Sequence, residues 1–295
     1  MKSVNVAEIL ATYAAPGPLD LSWNAPVGVS YSGGTSSKWL IWAMLRGRIA
    51  RPKHLAVFFV DTREEHKWTY EDVGSVEEEC RREGVTFIRC ANDNALGDDL
   101  LAINQSDRTR ADHPPVWIAK DGGGRGQAQH RCTPHYKVAP MRRAASAWLE
   151  SIGSSKRITK WVGFAAEEHM RATKAVGRQD VQWERLDFPA VRLGVTRAEQ
   201  REDLARWGTT APRFSMCTIC PWKTPKRWRE TPEEQRERVY QIDESIRDLS
   251  RVGLTDGDAY LSDRLIPVET LIRKGDPQPN LPGMDAYCDG GACFL

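Results

Sequence analysis

Short apolar runs alternate with amphipathic stretches through the first two-thirds of this chain, and no other feature restricts its fold as much. VGVSY (27–31), HLAVFFVD (54–61), VTFIRC (85–90) and RITKWVGFA (157–165) have the length and the β-branched or aromatic content of strands. HLAVFFVD holds a run of six apolar residues, 55–60, as a strand covered on both faces does. Residues 35–47, 69–84, 94–105 and 138–152 carry helical spacing; Gly84 stops the second of these helices and Asn94 caps the third. Residues 107–133 read as a loop. Strands alternating with helices predict right-handed βαβ units, hence an α/β fold: a doubly wound parallel sheet with helices on both faces.

The pattern changes from Asp187 onward. VTRAEQREDLARWG predicts a helix with Thr196 as N-cap, Glu199 at the capping-box position and Gly208 beyond its end. A loop bearing proline and cysteine follows, APRFSMCTICPWKTPKRW. TPEEQRERVYQIDESIRDLSRVG then reads as a helix with a Thr cap, Pro in the first turn and an end at Gly253. KGDPQPNLPGMDAYCDGGACFL holds too much Pro and Gly for regular structure. The expected organisation is an α/β domain over 1–185 and a helical, cysteine-bearing extension over 186–295.

An apolar share of 40% and a charged share of 28% belong to a globular protein rather than a disordered one. A net charge of +2 says little about partners; a protein that grips DNA by charge alone is usually more basic, although a local basic patch can serve. No run approaches the ~18 apolar residues of a membrane span. MKSVNVAEILATYAAPGPLD reads as an amphipathic helix rather than a secretory signal, so a cytoplasmic location is expected. Seven cysteines without a signal peptide favour metal or redox chemistry over a disulfide framework.

Ser32-Gly33-Gly34-Thr35-Ser36-Ser37 lies between the first strand and the first helix. A helix N-terminus offers unpaired N–H groups and about half a positive charge, which favour an anion. The two glycines permit close backbone approach, three serines add hydroxyls, and Lys38 offers charge. The spacing is neither GxxxxGK[ST] nor GxGxxG, so a Walker-type P-loop and a dinucleotide fingerprint are both excluded. An ordinary βα turn uses the same residue types.

Cys217-Thr218-Ile219-Cys220-Pro221 is the sharpest local signal. Two thiolates at this spacing chelate one metal, and with Cys132, Cys288 and Cys293 they suffice for tetrahedral zinc or a four-iron cluster. A redox dithiol would normally open a helix in a thioredoxin-like unit, and APRFSM gives no strand signal for one. Cys80 and Cys90 read as small buried apolar residues. Lys137, Arg171, Glu167 and Glu168 are candidates for phosphate or Mg²⁺, with His135 and His169 as possible acid–base groups. Exposed ion pairs account for the same acids and arginine. WKTPKRWR (222–229) interleaves aromatic and basic residues, which suits nucleic acid or else a capped surface with its tryptophans packed inward.

Ser32–Ser37 resembles the S-G-G-x-[DT]-S pyrophosphate loop of the adenine nucleotide alpha-hydrolase superfamily, the PP-loop ATP pyrophosphatases. Ser36 stands where many members carry aspartate, a departure closer to the phosphoadenylyl-sulfate (PAPS) reductase-like, sulfur-transfer branch. Asp61-Thr62 resembles the start of that family's DTG, with Arg63 in place of glycine. RCTPHYKVAP, GFAAEEHMR, the block from FPAVRLGVTRAEQ to CTICPW and the ending YCDGGACFL are similar to further segments of those proteins. The resemblance implies a HUP-like fold with ATP held by Ser32, Gly33, Gly34, Thr35, Ser36, Ser37 and Asp61, and Mg²⁺ assisted by Glu168. It implies catalytic roles for Lys137, Arg171 and Cys293. It also implies a [4Fe-4S] cluster, zinc being the other occupant, on Cys132, Cys217, Cys220 and Cys288, with Cys293 or an open iron as the other choices for the fourth position. The implied reaction is adenylation of a substrate followed by sulfur transfer to tRNA or DNA, with a cysteine desulfurase or another sulfur donor as partner. Reduction of PAPS and non-catalytic nucleotide binding are the two alternatives.

Overall fold

The computed structural model describes residues 26–103, 113–120, 122–154, 157–177, 181–250 and 257–277. Two compact units are built from interleaved segments rather than from two halves of the chain. The first comprises residues up to Phe59, Glu71–Arg89 and Arg142–Phe214; the second comprises Val60–Tyr70, Cys90–Met141 and residues from Ser215 onward.

In chain order the elements are β1 (Val27–Tyr31), α1 (Thr35–Leu45), β2 (Leu55–Asp61), α2 (Lys67–Arg82), β3 (Thr86–Ala91), α3 (Leu96–Leu101), β4 (Trp117–Lys120) and β5 (Gly124–Gln127). A π-helical turn at Pro134–Val138 leads into α4 (Ala139–Ser151), then β6 (Ile158–Val162), a 3-10 turn (Ala166–Glu168), α5 (His169–Gly177) and β7 (Glu184–Asp187). α6 (Pro189–Arg192), α7 (Arg197–Arg206), α8 (Pro225–Arg229), α9 (Glu233–Ser245), β8 (Ala259–Tyr260) and α10 (Val268–Lys274) follow.

The parallel sheet has the order β3-β2-β1-β6-β7. β1 runs parallel to β2 and to β6, with Ser30 opposite Phe58 on one side and Val162 on the other. Every residue of β1 and β6 is buried. Successive side chains point to opposite faces, so both faces of the sheet are covered, as the apolar runs predict. α1 is buried on all sides apart from its end, which explains why Trp39, Leu40, Ile41, Trp42 and Met44 sit next to one another in sequence. They pack with Val29, Tyr31, Val57, Phe59, Val73, Val76 and Trp161.

The second unit has its own apolar centre, made by Leu96, Leu100, Val116, Tyr136, Ile219, Trp228, Val239, Ile242, Leu261 and Val268. An antiparallel sheet of order β5-β4-β8 belongs to it.

Several expectations are corrected. The loop expected at 107–133 contains the β4–β5 hairpin, whose glycine-rich second strand has no apolar alternation to betray it. β7, with the sequence ERLD, adds a strand to the sheet. Ala95, not Asn94, precedes α3, and Asn94 bonds Asp99 through its side chain. Pro232 rather than Thr231 precedes α9. Thr196 and Glu199 do form the expected capping box. The segments read as an amphipathic helix at 1–20 and as a cysteine-rich ending, with Gly253, Cys288 and Cys293, lie outside the described residues. No helix among the described residues is long and apolar enough to cross a membrane.

Candidate nucleotide loop and buried cysteine turn

The chain runs from β1 through β2 to β3 on one side of the sheet, and β6 and β7 occupy the other side of β1. The carboxyl ends of β1 and β6 therefore flank the point where strand order reverses, which is where open α/β sheets bind ligands. Ser32–Gly34 leaves β1 at this point and Gly163 leaves β6.

The loop is shaped by its own backbone and hydroxyls. Gly33 adopts φ 74°, a left-handed conformation that favours glycine. The Ser37 hydroxyl donates to the Gly34 carbonyl at 3.1 Å, and its oxygen accepts the Ser32 N–H at 3.2 Å. α1 begins at Thr35 with Gly34 as its cap, no side-chain capping bond and no acid in its first turn. Its first N–H groups are thus left to an outside acceptor. A Cβ on Gly163 would overlap the Ser37 backbone nitrogen, so the β6 exit packs directly on the loop.

Lys38, read as a possible phosphate contact, is buried and pairs with Asp72 at 2.5 Å. Asp72 also accepts the Tyr31 hydroxyl, and burial with this carboxylate raises the Tyr31 pKa well above its usual value. Glu168 likewise has other partners than the Mg²⁺ expected for it. Its carboxylate accepts the Ala165 N–H at 3.0 Å, pairs with Arg171, and takes Arg197 at 2.6 Å. Both oxygens have protein partners, and the carboxylate holds two guanidinium groups beside the β6 exit. Arg171 stacks over Phe164 at 4.5 Å. Glu167 accepts the Arg197 backbone N–H at 3.1 Å, and the His169 ring nitrogen lies 3.3 Å from the Ala166 carbonyl.

α7 brings in a residue that the sequence reading missed. Arg197, Gln200 and Asp203 recur every third position and so share one face of the helix. Gln200 is fully buried, and its Oε1 accepts the Ser36 hydroxyl at 2.7 Å. Gln200 Nε2 has no hydrogen-bond partner among the described residues, a deficit of about 1–3 kcal/mol for a buried donor. Asp203 accepts the Trp39 indole N–H at 2.8 Å, which fixes α7 against α1. The available signal was this polar repeat along a helix with little apolar content.

In the second unit, Asp61 closes β2 and accepts the Tyr70 hydroxyl at 2.8 Å and the Arg63 N–H at 2.7 Å. Arg63 has φ 60°, the conformation that glycine would take at this position without strain. Its guanidinium reaches the carbonyls of Asp93 and Asn92 at 3.2 and 3.4 Å.

The next residues grip the cysteine turn. The backbone at Glu65 pairs with that at Cys217 in an isolated antiparallel bridge, and the Thr218 N–H donates to the Glu64 carbonyl at 2.5 Å. The Glu64 carboxylate is buried, which raises its pKa, and Arg238 opposes the rise from 2.5 Å. The Cys220 N–H donates to the Cys217 carbonyl at 3.2 Å. Lys223, also buried, donates through Nζ to the Thr218 carbonyl at 2.7 Å and lies 4.6 Å from the centre of the Trp228 ring. Burial lowers its pKa to about 7, against the pull of the Cys220 and Cys217 sulfurs and Glu65. His66 is buried and stacked on Trp68 with ring centres 4.1 Å apart. Burial, then Lys223 and Arg227, push its pKa down to about 2.

Cys132, Cys217 and Cys220 are all buried, unbridged thiols of this unit. Among the described residues, however, no three His, Cys, Asp or Glu side chains are placed to hold a metal ion. The donor chemistry suits a cluster, and the described residues by themselves do not assemble a site for one. Lys137 is buried in the same unit, and His130, with its pKa pushed down to about 4 by burial and by Lys137, sits 2.8 Å from the Thr133 hydroxyl. His135 packs edge-on against Tyr136. Cys80 is buried in the first unit's core, where burial pushes its pKa up to about 12, and Cys90 is half-buried.

WKTPKRWR does not form one surface, because Lys223 and Trp228 are interior while Lys226 and Arg229 are exposed. Trp222 instead meets His130 at 4.8 Å between ring centres. The neighbouring Pro221 carbonyl accepts the indole N–H of Trp117 at 3.0 Å, and Arg125 stacks on Trp117 at 5.3 Å.

No family model and no curated protein matches this sequence. Among solved structures, the chain is similar to the U34-tRNA thiolase NcsA from Methanococcus maripaludis with its [4Fe-4S] cluster, at 9% identity and a TM-score of 0.39, covering 91% of this chain and 75% of that one. At that level of likeness the chemistry has to be read from this chain's own residues.

Proposed function

We propose that this protein binds an adenine nucleotide at Ser32–Ser37 and adenylates a substrate for sulfur transfer, in the manner of a PP-loop ATP pyrophosphatase. The observation that carries the reading is a glycine- and hydroxyl-rich loop feeding an uncapped helix N-terminus at the point where strand order reverses. In the proposed reaction a substrate oxygen attacks the α-phosphorus of ATP, the bond to the bridging oxygen breaks, and pyrophosphate leaves. The α1 amides and the serine hydroxyls supply donors where charge develops on the departing group. Arg171 and Arg197, held by Glu168, supply positive charge at the β6 exit.

A cysteine persulfide then attacks the activated atom, the bond to the AMP oxygen breaks and AMP leaves. A second thiol attacks the carrier cysteine's sulfur, forming a disulfide and leaving the outer sulfur on the substrate. Cys132, Cys217 and Cys220 are the described thiols available to carry that sulfur, with Cys293 outside the described residues. An iron–sulfur cluster, or zinc, belongs to the proposal only through the number of cysteines, and the reaction is derived without it. Trp117 with Arg125 and Trp222 with His130 bring aromatic rings and a cation into the second unit, which supports a nucleic-acid acceptor, tRNA or DNA.

Anaerobic turnover with ATP, Mg²⁺, a persulfide donor and either tRNA or DNA tests the reading. Release of pyrophosphate and AMP in step with sulfur incorporation is expected. Absence of pyrophosphate with both acceptors overturns it. Ser36, in place of an acid, favours a second reading, reduction of PAPS by a thiol. Sulfite release without pyrophosphate would mark that outcome.

A further inference from the structure

Buried amides rarely leave a donor unmatched, so the Gln200 side chain calls for an explanation. The Ser36 hydroxyl spends its single proton on Gln200 Oε1, at 2.7 Å. Gln200 Nε2, with no partner among the described residues, has two protons to give. Ser36 lies in the first turn of α1, whose leading N–H groups no side chain caps, and Gln200 reaches it from α7. The last torsion of a glutamine is broad and roughly two-fold. A half-turn about it presents Nε2 to the Ser36 oxygen, and the serine proton is then released to point elsewhere. The group left unmatched becomes a carbonyl, which proteins tolerate inside more often than an N–H.

We infer that Ser36 and Gln200 form a two-position hydrogen-bond relay that hands the Ser36 hydroxyl to a phosphoryl oxygen of the ligand in the loop. Gln200 is thus a positioning residue acting through Ser36, and the relay rests on the nucleotide reading given above. The ligand chemistry it selects is an anionic phosphate with an oxygen free to accept. A hydroxyl at position 36 supplies a donor there, whereas an acid would supply a second negative charge.

Calorimetric binding of ATP, pyrophosphate and adenosine to the full chain tests the relay. Gln200→Met removes the donor and the acceptor, and Ser36→Ala removes the hydroxyl. Each is expected to weaken ATP and pyrophosphate at least tenfold and to leave adenosine unchanged. The Ser36→Ala/Gln200→Met double variant is expected to lose no more than either single variant. Wild-type affinity for pyrophosphate in Gln200→Met or Ser36→Ala, additive losses, or an equal loss for adenosine would overturn the relay while leaving the nucleotide reading standing. A wild-type chain that binds neither ATP nor pyrophosphate would remove both. Melting temperatures recorded on the same samples separate unfolding from loss of binding.

Discussion

The loop at Ser32–Ser37 is positioned by neutral groups: a left-handed glycine, serine hydroxyls, an amide from α7 and a glycine of the β6 exit lying on its backbone. The turn at Cys217–Cys220 is positioned by ionisable groups, with buried Glu64 paired to the partly exposed Arg238 and buried Lys223 reaching the Thr218 carbonyl. A neutral cradle leaves charge to be supplied by its ligand and tolerates changes of pH. A turn held by such groups is sensitive to the loss of either partner, because an isolated buried charge is costly.

That contrast can be broken most directly at Glu64. Glu64→Ala leaves Arg238 without its main partner and frees the Thr218 hydroxyl, which lies 3.3 Å from the carboxylate. A loss of about 3 kcal/mol is expected, at the low end for a buried pair because Arg238 is partly exposed. Denaturant unfolding reads it, and a loss below about 1 kcal/mol would show that charge does not secure the turn. Gly163→Ala attacks the other side. The added methyl meets the Ser37 backbone, so about 2 kcal/mol of overpacking is expected together with loss of ATP binding. Unchanged ATP affinity in that variant would mean the two loops do not depend on each other.

Acid sharpens the comparison further. In the folded chain the His66 pKa is about 2, whereas an unfolded histidine titrates near its ordinary value of 6.5. Between those two values the unfolded state binds the extra proton, so the contribution of His66 is complete above pH 6.5 and is lost as pH falls below it. His66→Phe is expected to flatten this part of the stability profile, as measured by melting temperature between pH 7 and 4. A profile parallel to wild type would place acid sensitivity elsewhere. The smallest effect is expected at Arg63, where glycine relieves a left-handed backbone but removes two contacts to carbonyls. Arg63→Gly should raise stability by about 1 kcal/mol or less, and a marked loss would show that the guanidinium contacts outweigh the strain.

Much of the sheet was legible because its central strands are buried on both faces; β2 spells a continuous apolar run, and β1 and β6 are short, β-branched and aromatic. The α7 capping box was equally readable, since Thr196 and Glu199 act over a single turn. β5 and β7 escaped because GRGQ and ERLD have no apolar face. At the candidate site, the loop declared itself through glycine and serine, whereas the partners of its side chains did not. Lys38 looked like a phosphate ligand until Asp72 was found beside it, and nothing local to Ser36 points to Gln200. Such pairings join residues far apart along the chain, and composition carries no record of them. The same applies to WKTPKRWR, in which Lys223, Pro225 and Trp228 turn inward.

The interleaving of the two units bears on biosynthesis. The chain enters the second unit at Val60, returns to the first at Glu71, and passes between them again at Cys90, Arg142 and Ser215. While the polypeptide is emerging from the ribosome, the first unit lacks its final segment until Phe214 is out, and the second lacks the cysteine turn for longer still. Neither unit corresponds to a contiguous stretch that a truncated gene could encode, so expression of either half alone should yield chains that remain open to proteases.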